Sequence, residues 1–305
     1  MIEIKNLSVS FVGQLPVVDR LNLSLKAGKT TVVVGESGSG KSVTIAAILR
    51  LLPKEAHVNG SITLDGRELL SLTDAELNSL RGKTLGYVPQ GGGNSMHPLI
   101  TVGAQIAEPI EIHEKVSKHR AFRAAIEWLG KMGLIPAEKI AYSYPHTLSG
   151  GMKQRALIAM GAAGGAKVLF ADEPTKGLDY KRIEQVGQLF RSLQDTTLLC
   201  VTHDLRFAKN IADDICVMYA GKPVEFAAAV SFFEEPKHPY SKMLIASLPE
   251  NGMQCPDDFT PPAAQRSGCG FYHRCPDRSD ACLSDIRMTS VGNHHVRCCL
   301  YADKN

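Results

Sequence analysis

The sequence predicts an α/β protein: a parallel core sheet flanked by helices, an antiparallel β subdomain, a helical insert and a small Cys-rich C-terminal extension. Three observations carry this. Thr30–Val34 is an apolar, β-branched run ending at Gly35, followed by a helical pattern over residues 43–52 that Pro53 halts. Residues 168–171 and 198–202 are two more apolar runs, each closing on polar residues. Strands alternating with helices imply parallel pairing, with chemistry at the strands' carboxyl ends.

Residues 1–27 alternate in strand fashion through Ile2, Ile4, Leu7 and Val9, then Leu21, Leu23 and Leu25. Asn59-Gly60 and Asp65-Gly66 read as turns on either side of a strand at 61–64. Residues 94–165 differ, because 102–112 and 120–132 have helical spacing and little strand character. Beyond about residue 230, Pro236, Pro239, Pro249, Pro256, Pro261 and Pro262 mark a loop-rich stretch. At 305 residues the chain can bury a full α/β core and carry a further module. A net charge of +3 is too weak to argue for a nucleic-acid partner. Met1-Ile2-Glu3-Ile4-Lys5 is a strand start and not a signal peptide. The longest apolar run, 156–171, is broken by Lys167 and three glycines, so no membrane span is expected. The expectation is a cytosolic protein that docks on a partner if it serves a membrane process.

Gly35-Glu36-Ser37-Gly38-Ser39-Gly40-Lys41-Ser42 lies between a buried strand and a helix. Glycines let backbone N–H groups turn inward around phosphate oxygens, and the helix adds the positive end of its dipole. Lys41 would reach the β- and γ-phosphates and Ser42 would hold magnesium. A glycine turn with a chance Lys-Ser is the competing reading, and the strand before and helix after disfavour it. Asp172-Glu173 closes an apolar strand on two carboxylates. Asp172 suits a magnesium shell, and Glu173 suits the base that orients and activates water. His203 ends the next buried strand, a place for a γ-phosphate contact, although a lone histidine is more often structural. Gln90 follows the strand-like residues 85–88, where its amide would meet magnesium or the attacking water.

Leu148-Ser149-Gly150-Gly151-Met152-Lys153-Gln154-Arg155 is a second glycine turn opening a helix, with no lysine to finish a separate nucleotide site. It is either an anion site that completes the nucleotide pocket of another copy of the fold, or a helix start capped by Ser149. Spacing alone leaves both open.

Cys200 and Cys216 stand in apolar runs and read as buried hydrophobes. Cys255, Cys269, Cys275, Cys282, Cys298 and Cys299 crowd the end of the chain, which in a cytosolic protein reads as metal binding sooner than disulfides. Cys269, Cys275, Cys282 and Cys298 supply four thiolates, enough for tetrahedral zinc or an iron–sulfur cluster. Their spacing fits neither short zinc knuckles nor the usual ferredoxin runs, and metal-free thiols remain a third reading. The plainer role is to staple a segment with little core.

Together these motifs resemble the nucleotide-binding subunit of an ATP-binding cassette (ABC) transporter, over residues 1 to about 235. The resemblance implies a P-loop NTPase with a RecA-like parallel core. It divides the chain into a nucleotide-binding domain at 1–235, with its helical subdomain at about 94–165, and an extension at 236–305. It implies two subunits facing head to tail, with ATP between the P-loop of one and Ser149 and Gly151 of the other. Phe11 would stack on adenine, while Gly35, Ser37, Gly38, Ser39, Gly40, Lys41 and Ser42 would bind phosphates and magnesium. Gln90 would be the Q-loop glutamine, Asp172 and Glu173 the Walker B pair, His203 the switch histidine, and Asp179 the D-loop aspartate at the dimer seam.

His238-Pro239-Tyr240-Ser241, the segment Gly268-Cys269-Gly270-Phe271-Tyr272-His273-Arg274-Cys275-Pro276, Cys282, and His294-His295-Val296-Arg297-Cys298 resemble the tail of peptide and nickel importer ATPases. This implies an ATP-hydrolysing subunit that powers uptake of peptides, nickel chelates or opine-type metallophores. Its partners would be a second ATPase subunit, like or unlike, two membrane permeases and an extracytoplasmic binding protein, with no nucleic acid. It would work at the cytoplasmic face of the membrane. The resemblance also favours a [4Fe–4S] cluster over zinc at Cys269, Cys275, Cys282 and Cys298. Two departures stand out: Gln90 is followed by Gly91-Gly92-Gly93, and Lys176-Gly177 precedes Leu178-Asp179. A soluble ABC ATPase acting on nucleic acid or ribosomes is the alternative, and the chain lacks the coiled-coil insertion or second cassette usual there. A P-loop protein without turnover would not need both Glu173 and His203.

Overall fold

The computed structural model describes residues 1–91, 95–193, 195–253 and 267–302. Cys255, Gly92 and Gly93 lie outside the described residues. In chain order the first elements are β1 (Ile2–Ser10), β2 (Val18–Leu25), β3 (Thr30–Val34), α1 (Lys41–Ile48), β4 (His57–Leu64), β5 (Arg67–Glu68), α2 (Asp74–Leu80) and β6 (Leu85–Val88). Next come α3 (Val102–Glu114), α4 (Lys118–Lys131), α5 (Ala137–Ala141), α6 (Gly150–Ala162), β7 (Val168–Asp172), α7 (Tyr180–Ser192) and β8 (Thr197–Thr202). The chain ends through α8 (Leu205–Ile211), β9 (Asp214–Tyr219), β10 (Lys222–Ala228), α9 (Ala229–Glu234), α10 (Pro239–Ala246), β11 (Thr289–Val291) and β12 (His294–Val296). Two compact units form, one from Met1–Leu70 with Val201–Asn305, the other from Ser71–Cys200.

In the first unit, β2, β1, β4 and β5 make an antiparallel sheet in that order. Its alternation buries Ile2, Ile4, Leu21, Leu23 and Ile62 on one face. Asp65-Gly66 is the expected turn, with φ of 49° and 83°, the left-handed pair that a two-residue hairpin requires. Asn59-Gly60 is not a turn. It lies inside β4, where Asn59 pairs with Ser8 and the register slips between Lys5 and Ser8. Gly60 has φ 108°, and a Cβ there would stand 2.7 Å from the carbonyl oxygens of Lys5 and Asn6, so the glycine serves a bulge. Helix α1 also ends earlier than Pro53 demands. Arg50 takes a left-handed φ of 50°. Leu51 N–H then donates to the Ala46 carbonyl at 2.8 Å, a Schellman-type closure with arginine where glycine is usual.

The tail of this unit is more ordered than its prolines imply. β3 runs parallel to β9, β9 pairs antiparallel with β10, β10 with β12, and β12 with β11. A buried carboxylate organises the return. Glu225, on β10, has no exposed surface. It accepts from the backbone N–H groups of Lys237 and His238 at 2.9 Å each and lies 2.8 Å from His294 Nδ1. His238 then caps α10, its Nδ1 accepting from Tyr240 N–H at 3.0 Å, with Pro239 in the first turn.

In the second unit β6 and β7 pair in parallel, Leu85 with Val168 through Val88 with Ala171. The expected helical insert is present. Val102, Ile106 and Ile110 on α3, and Ala121, Ala125 and Leu129 on α4, form buried stripes at helical spacing. Gly103 permits this approach, because a Cβ there would fall 2.8 Å from Ala141 and Phe122 side-chain atoms. Among the described residues, no helix is long and apolar enough to cross a membrane.

Replacing Glu225 with alanine should cost about 3 kcal/mol, since it strands the buried His238 N–H, the half-buried Lys237 N–H and His294; a lower urea midpoint checks this. His238 predicts an acid response. Burial, and then the Lys242 charge, depress its pKa from 6.5 to about 3. The unfolded chain therefore takes up this proton first, so stability is full above about pH 6.5 and falls as the pH drops toward 3. In His238→Asn, which keeps a capping oxygen, unfolding midpoints should fall less steeply over that window.

Candidate nucleotide and catalytic residues

In the first unit the chain leaves β3 at Val34 and loops into α1. Gly38 and Gly40 take left-handed φ of 82° and 93°. A Cβ on Gly35 would stand 2.2 Å from the Met218 carbonyl oxygen, and one on Gly40 2.4 Å from that of Val17. The loop is thus pressed against backbone on two sides, and only glycine fits. Gly40 precedes α1 and no side-chain hydrogen bond caps that helix, so the positive end of its dipole faces the loop. Lys41 is buried and folds into the loop. Its Nζ donates to the carbonyls of Gly35 at 2.7 Å and Glu36 at 2.9 Å, with Ser39 Oγ at 3.5 Å. Ser42 follows on α1.

Phe11, half-buried, comes just after β1, and its carbonyl accepts from Gln14 N–H at 3.0 Å in a tight turn. His203 is exposed at the end of β8. It is held between the strand and the cap of α8, where Asp204 accepts from Phe207 N–H at 3.0 Å.

In the second unit the β6–β7 register aligns Val88 with Ala171, so Gln90 and the Asp172-Glu173 pair emerge at one carboxyl edge. Asp172 and Glu173 are 4% and 9% exposed. Burial, then the Asp172 charge, push the Tyr87 phenol up to about 12. Glu173 has φ 47°, an uncommon left-handed backbone for a non-glycine residue.

Ser149 realises the capping reading, its Oγ accepting from Met152 N–H at 3.4 Å. One cap satisfies one of the four free donors of α6, so an anion site remains compatible with it. Asp179 caps α7 by accepting from Arg182 N–H at 3.1 Å, and its other oxygen lies 3.2 Å from Arg182 Nε. The same arginine lies over Gly151, where a Cβ would come within 3.0 Å of its Cδ. Arg182 therefore joins Asp179 to the glycine turn, a link that no motif announced. Arg155 adds another, donating to the Gly133 carbonyl at 3.0 Å and the Gly151 carbonyl at 3.4 Å.

Sequence reasoning also missed two contacts to the phosphate loop. Arg274 Nη1 donates to both carboxylate oxygens of Glu36, at 2.9 and 3.1 Å, and Glu36 N–H donates to Tyr240 Oη at 3.0 Å. Both partners stand in the tail motifs, which was the only available signal.

Cys200 and Cys216 are buried in the core, as expected. The tail thiols depart from expectation. Cys275, Cys282 and Cys298 are buried, and Cys269 N–H donates to the Cys282 carbonyl at 2.8 Å. Burial pushes Cys298 up to about 12 and Cys275 to about 11, so both are neutral thiols at pH 7. Among the described residues, no three of His, Cys, Asp and Glu gather closely enough to hold one metal ion. The four cysteines named as a metal-binding set therefore do not form one as they stand; Cys275, Cys282 and Cys298 pack as buried side chains and Cys269 is half-buried.

Comparison with known proteins adds to this geometry. The ABC transporter family model matches residues 18–176, and the family described as the C-terminal region of oligopeptide/dipeptide transporters matches residues 224–282. The chain is 41% identical to the oligopeptide transport ATP-binding protein OppD of Bacillus subtilis, over 82% of this chain and 72% of that one. It is 36% identical to OppD of Salmonella typhimurium, over 98% and 93% of the two chains. The dimeric post-hydrolysis state of the ATP-binding cassette MJ0796, bound to ADP and Pi, is similar with a TM-score of 0.67 at 28% identity, over 75% of this chain and 99% of that one.

Gly40→Ala should destabilise the first unit by about 2 kcal/mol or more, because the new Cβ meets backbone. Gly66→Ala, at a similar φ but with nothing within 4 Å of the added Cβ, should cost roughly 1 kcal/mol. Denaturant midpoints of the two variants test the difference.

Proposed function

The chain belongs to the ABC transporter family of ATP-binding proteins, and we propose that it is the ATP-hydrolysing subunit of a peptide importer. The observation that carries this reading is the tail match at residues 224–282, added to a complete cassette motif set. Relatives matching nearly the whole chain are named for oligopeptide transport. None of these names mentions nickel or metallophores, so those cargoes fall behind peptides.

On this reading, residues 1–235 are the nucleotide-binding domain and 236–305 the importer-type extension. The glycine loop fits a polyphosphate: it is a cradle that a Cβ would fill, with an ammonium already inside it. Gly35, Ser37, Gly38 and Gly40 offer backbone N–H groups, Ser39 N–H braces the loop on the Glu36 carbonyl at 3.2 Å beside them, Lys41 takes phosphate charge, and Phe11 stacks on the base. Ser42, Asp172 and Gln90 have the oxygen donors that magnesium takes. When bound, that ion supplies charge neutralisation at the transferring phosphoryl group. Glu173 holds the attacking water as its general base, and His203 meets the γ-phosphate. Ser149 and Gly151 present the α6 N-terminus to the nucleotide of a second cassette, and Asp179 lies at that seam. The dimeric ADP-bound relative supports this pairing. Two permeases and an extracytoplasmic binding protein complete the assembly, with this chain at the cytoplasmic face of the membrane.

The tail cysteines carry a separate reading. The burial of Cys275, Cys282 and Cys298 favours a structural role for these thiols, and the arrangement just described fits no metal as it stands, so no step is assigned to one. Elemental analysis and an absorption spectrum of anaerobically purified protein decide it. About four irons per chain with a charge-transfer band would establish a cluster, and neither iron nor zinc would leave plain thiols.

Three variants test the ATPase reading. Lys41→Ala should abolish nucleotide binding. Glu173→Gln should bind ATP and trap it, with turnover down by at least about 10². Ser149→Arg should bind nucleotide yet fail to pair. Turnover unchanged in all three would overturn the assignment.

A further inference from the structure

The phosphate loop contains a carboxylate. Glu36 directly follows Gly35, in a loop that gathers positive backbone dipoles and an ammonium for an anionic ligand. An uncompensated carboxylate at this place opposes a polyphosphate, in a site where charges act through an effective dielectric well below that of water. The chain compensates it from 238 positions away. Arg274, whose side chain is 8% exposed, holds Glu36, 31% exposed, through two bonds from one nitrogen.

The surroundings fix that guanidinium. It lies 5.9 Å from the Tyr219 ring centroid and 5.6 Å from that of Phe271. Nη1 also donates to Tyr219 Oη at 3.3 Å, and Nη2 approaches Met243 Sδ at 3.6 Å. Tyr219, Tyr240 and Phe271 form one aromatic cluster, with centroids 4.5 to 5.4 Å apart. Tyr240, fully buried, takes the Glu36 N–H at 3.0 Å. The loop residue is thus held at its backbone and at its charge, both times by the extension.

We propose that Arg274 is a positioning residue of the nucleotide site, its guanidinium cancelling the Glu36 charge within the phosphate loop so that the loop accepts ATP. The extension is then a working part of the cassette and not only an appendage. This rests on the ATPase reading above. A purely structural anchor differs in one respect: it would lose its contact equally whether the arginine or the glutamate were removed.

The test is titration of the full-length protein with the fluorescent analogue TNP-ATP, with unfolding midpoints measured alongside. Arg274→Met should weaken binding roughly tenfold, and Arg274→Lys should stay within about threefold of the parent. Adding Glu36→Gln to Arg274→Met should restore affinity to within about twofold, since no charge is then left to cancel. Glu36→Gln alone should bind several-fold tighter, because Arg274 then faces the phosphates unopposed. If the double variant binds as weakly as Arg274→Met, or if Arg274→Met binds like the parent, the proposal fails. Should Arg274→Met not fold, the single Glu36→Gln variant decides: tighter binding supports the proposal, and equal or weaker binding overturns it. A parent protein that binds no TNP-ATP would instead sink the ATPase reading, and this inference with it.

Discussion

The rest of the structure depends on the close approach of backbone to backbone at Gly35 and Gly40. At each position the space for a Cβ is taken by a carbonyl oxygen, from Met218 and Val17 respectively. These contacts place the loop against both the end of β9 and the approach to β2 before any ligand is considered. The loop is therefore shaped by hard-sphere exclusion, and its glycines are fixed by sterics as much as by what they bind. The direction of α1 and the setting of Lys41 follow from that placement.

A second constraint is electrostatic. Glu225 is buried with three donors around it, and those donors come from the start of α10 and from β12. One carboxylate thereby draws two distant stretches of the extension onto β10. A buried charge so surrounded adds little net stability compared with an apolar core, but it admits few alternative arrangements. That specificity is what lets Tyr240 and Arg274 arrive at fixed positions beside Glu36.

Much of this was legible in the sequence, for physical reasons. The strand–glycine–helix unit and the paired carboxylates are local patterns, and local patterns fix local geometry. The helical stripes of α3 and α4 were equally plain. What escaped reading depended partly on partners far along the chain and partly on local backbone that side-chain identity does not reveal. Asn59-Gly60 has the composition of a turn, but the facing strand makes it a bulge. Arg50 ends α1 in a left-handed conformation that its side chain does not advertise. Arg182 and Arg274 look like ordinary surface cations until the fold sets Asp179 and Glu36 against them. The tail cysteines show the converse: their spacing invites a metal, and the fold buries three of them, Cys275, Cys282 and Cys298, as packed side chains.

Lys41 has one more consequence. Its ammonium binds two carbonyls of its own loop. An incoming ligand must displace at least part of this internal set, and it does so favourably only if it returns comparable negative charge to the same nitrogen. A lone weak anion offers too little in exchange, whereas a chain of phosphates offers several oxygens at once. On the proposed nucleotide reading, those carbonyl bonds set a threshold, sorting the many small anions of a crowded solution by how much charge each can deliver to one point.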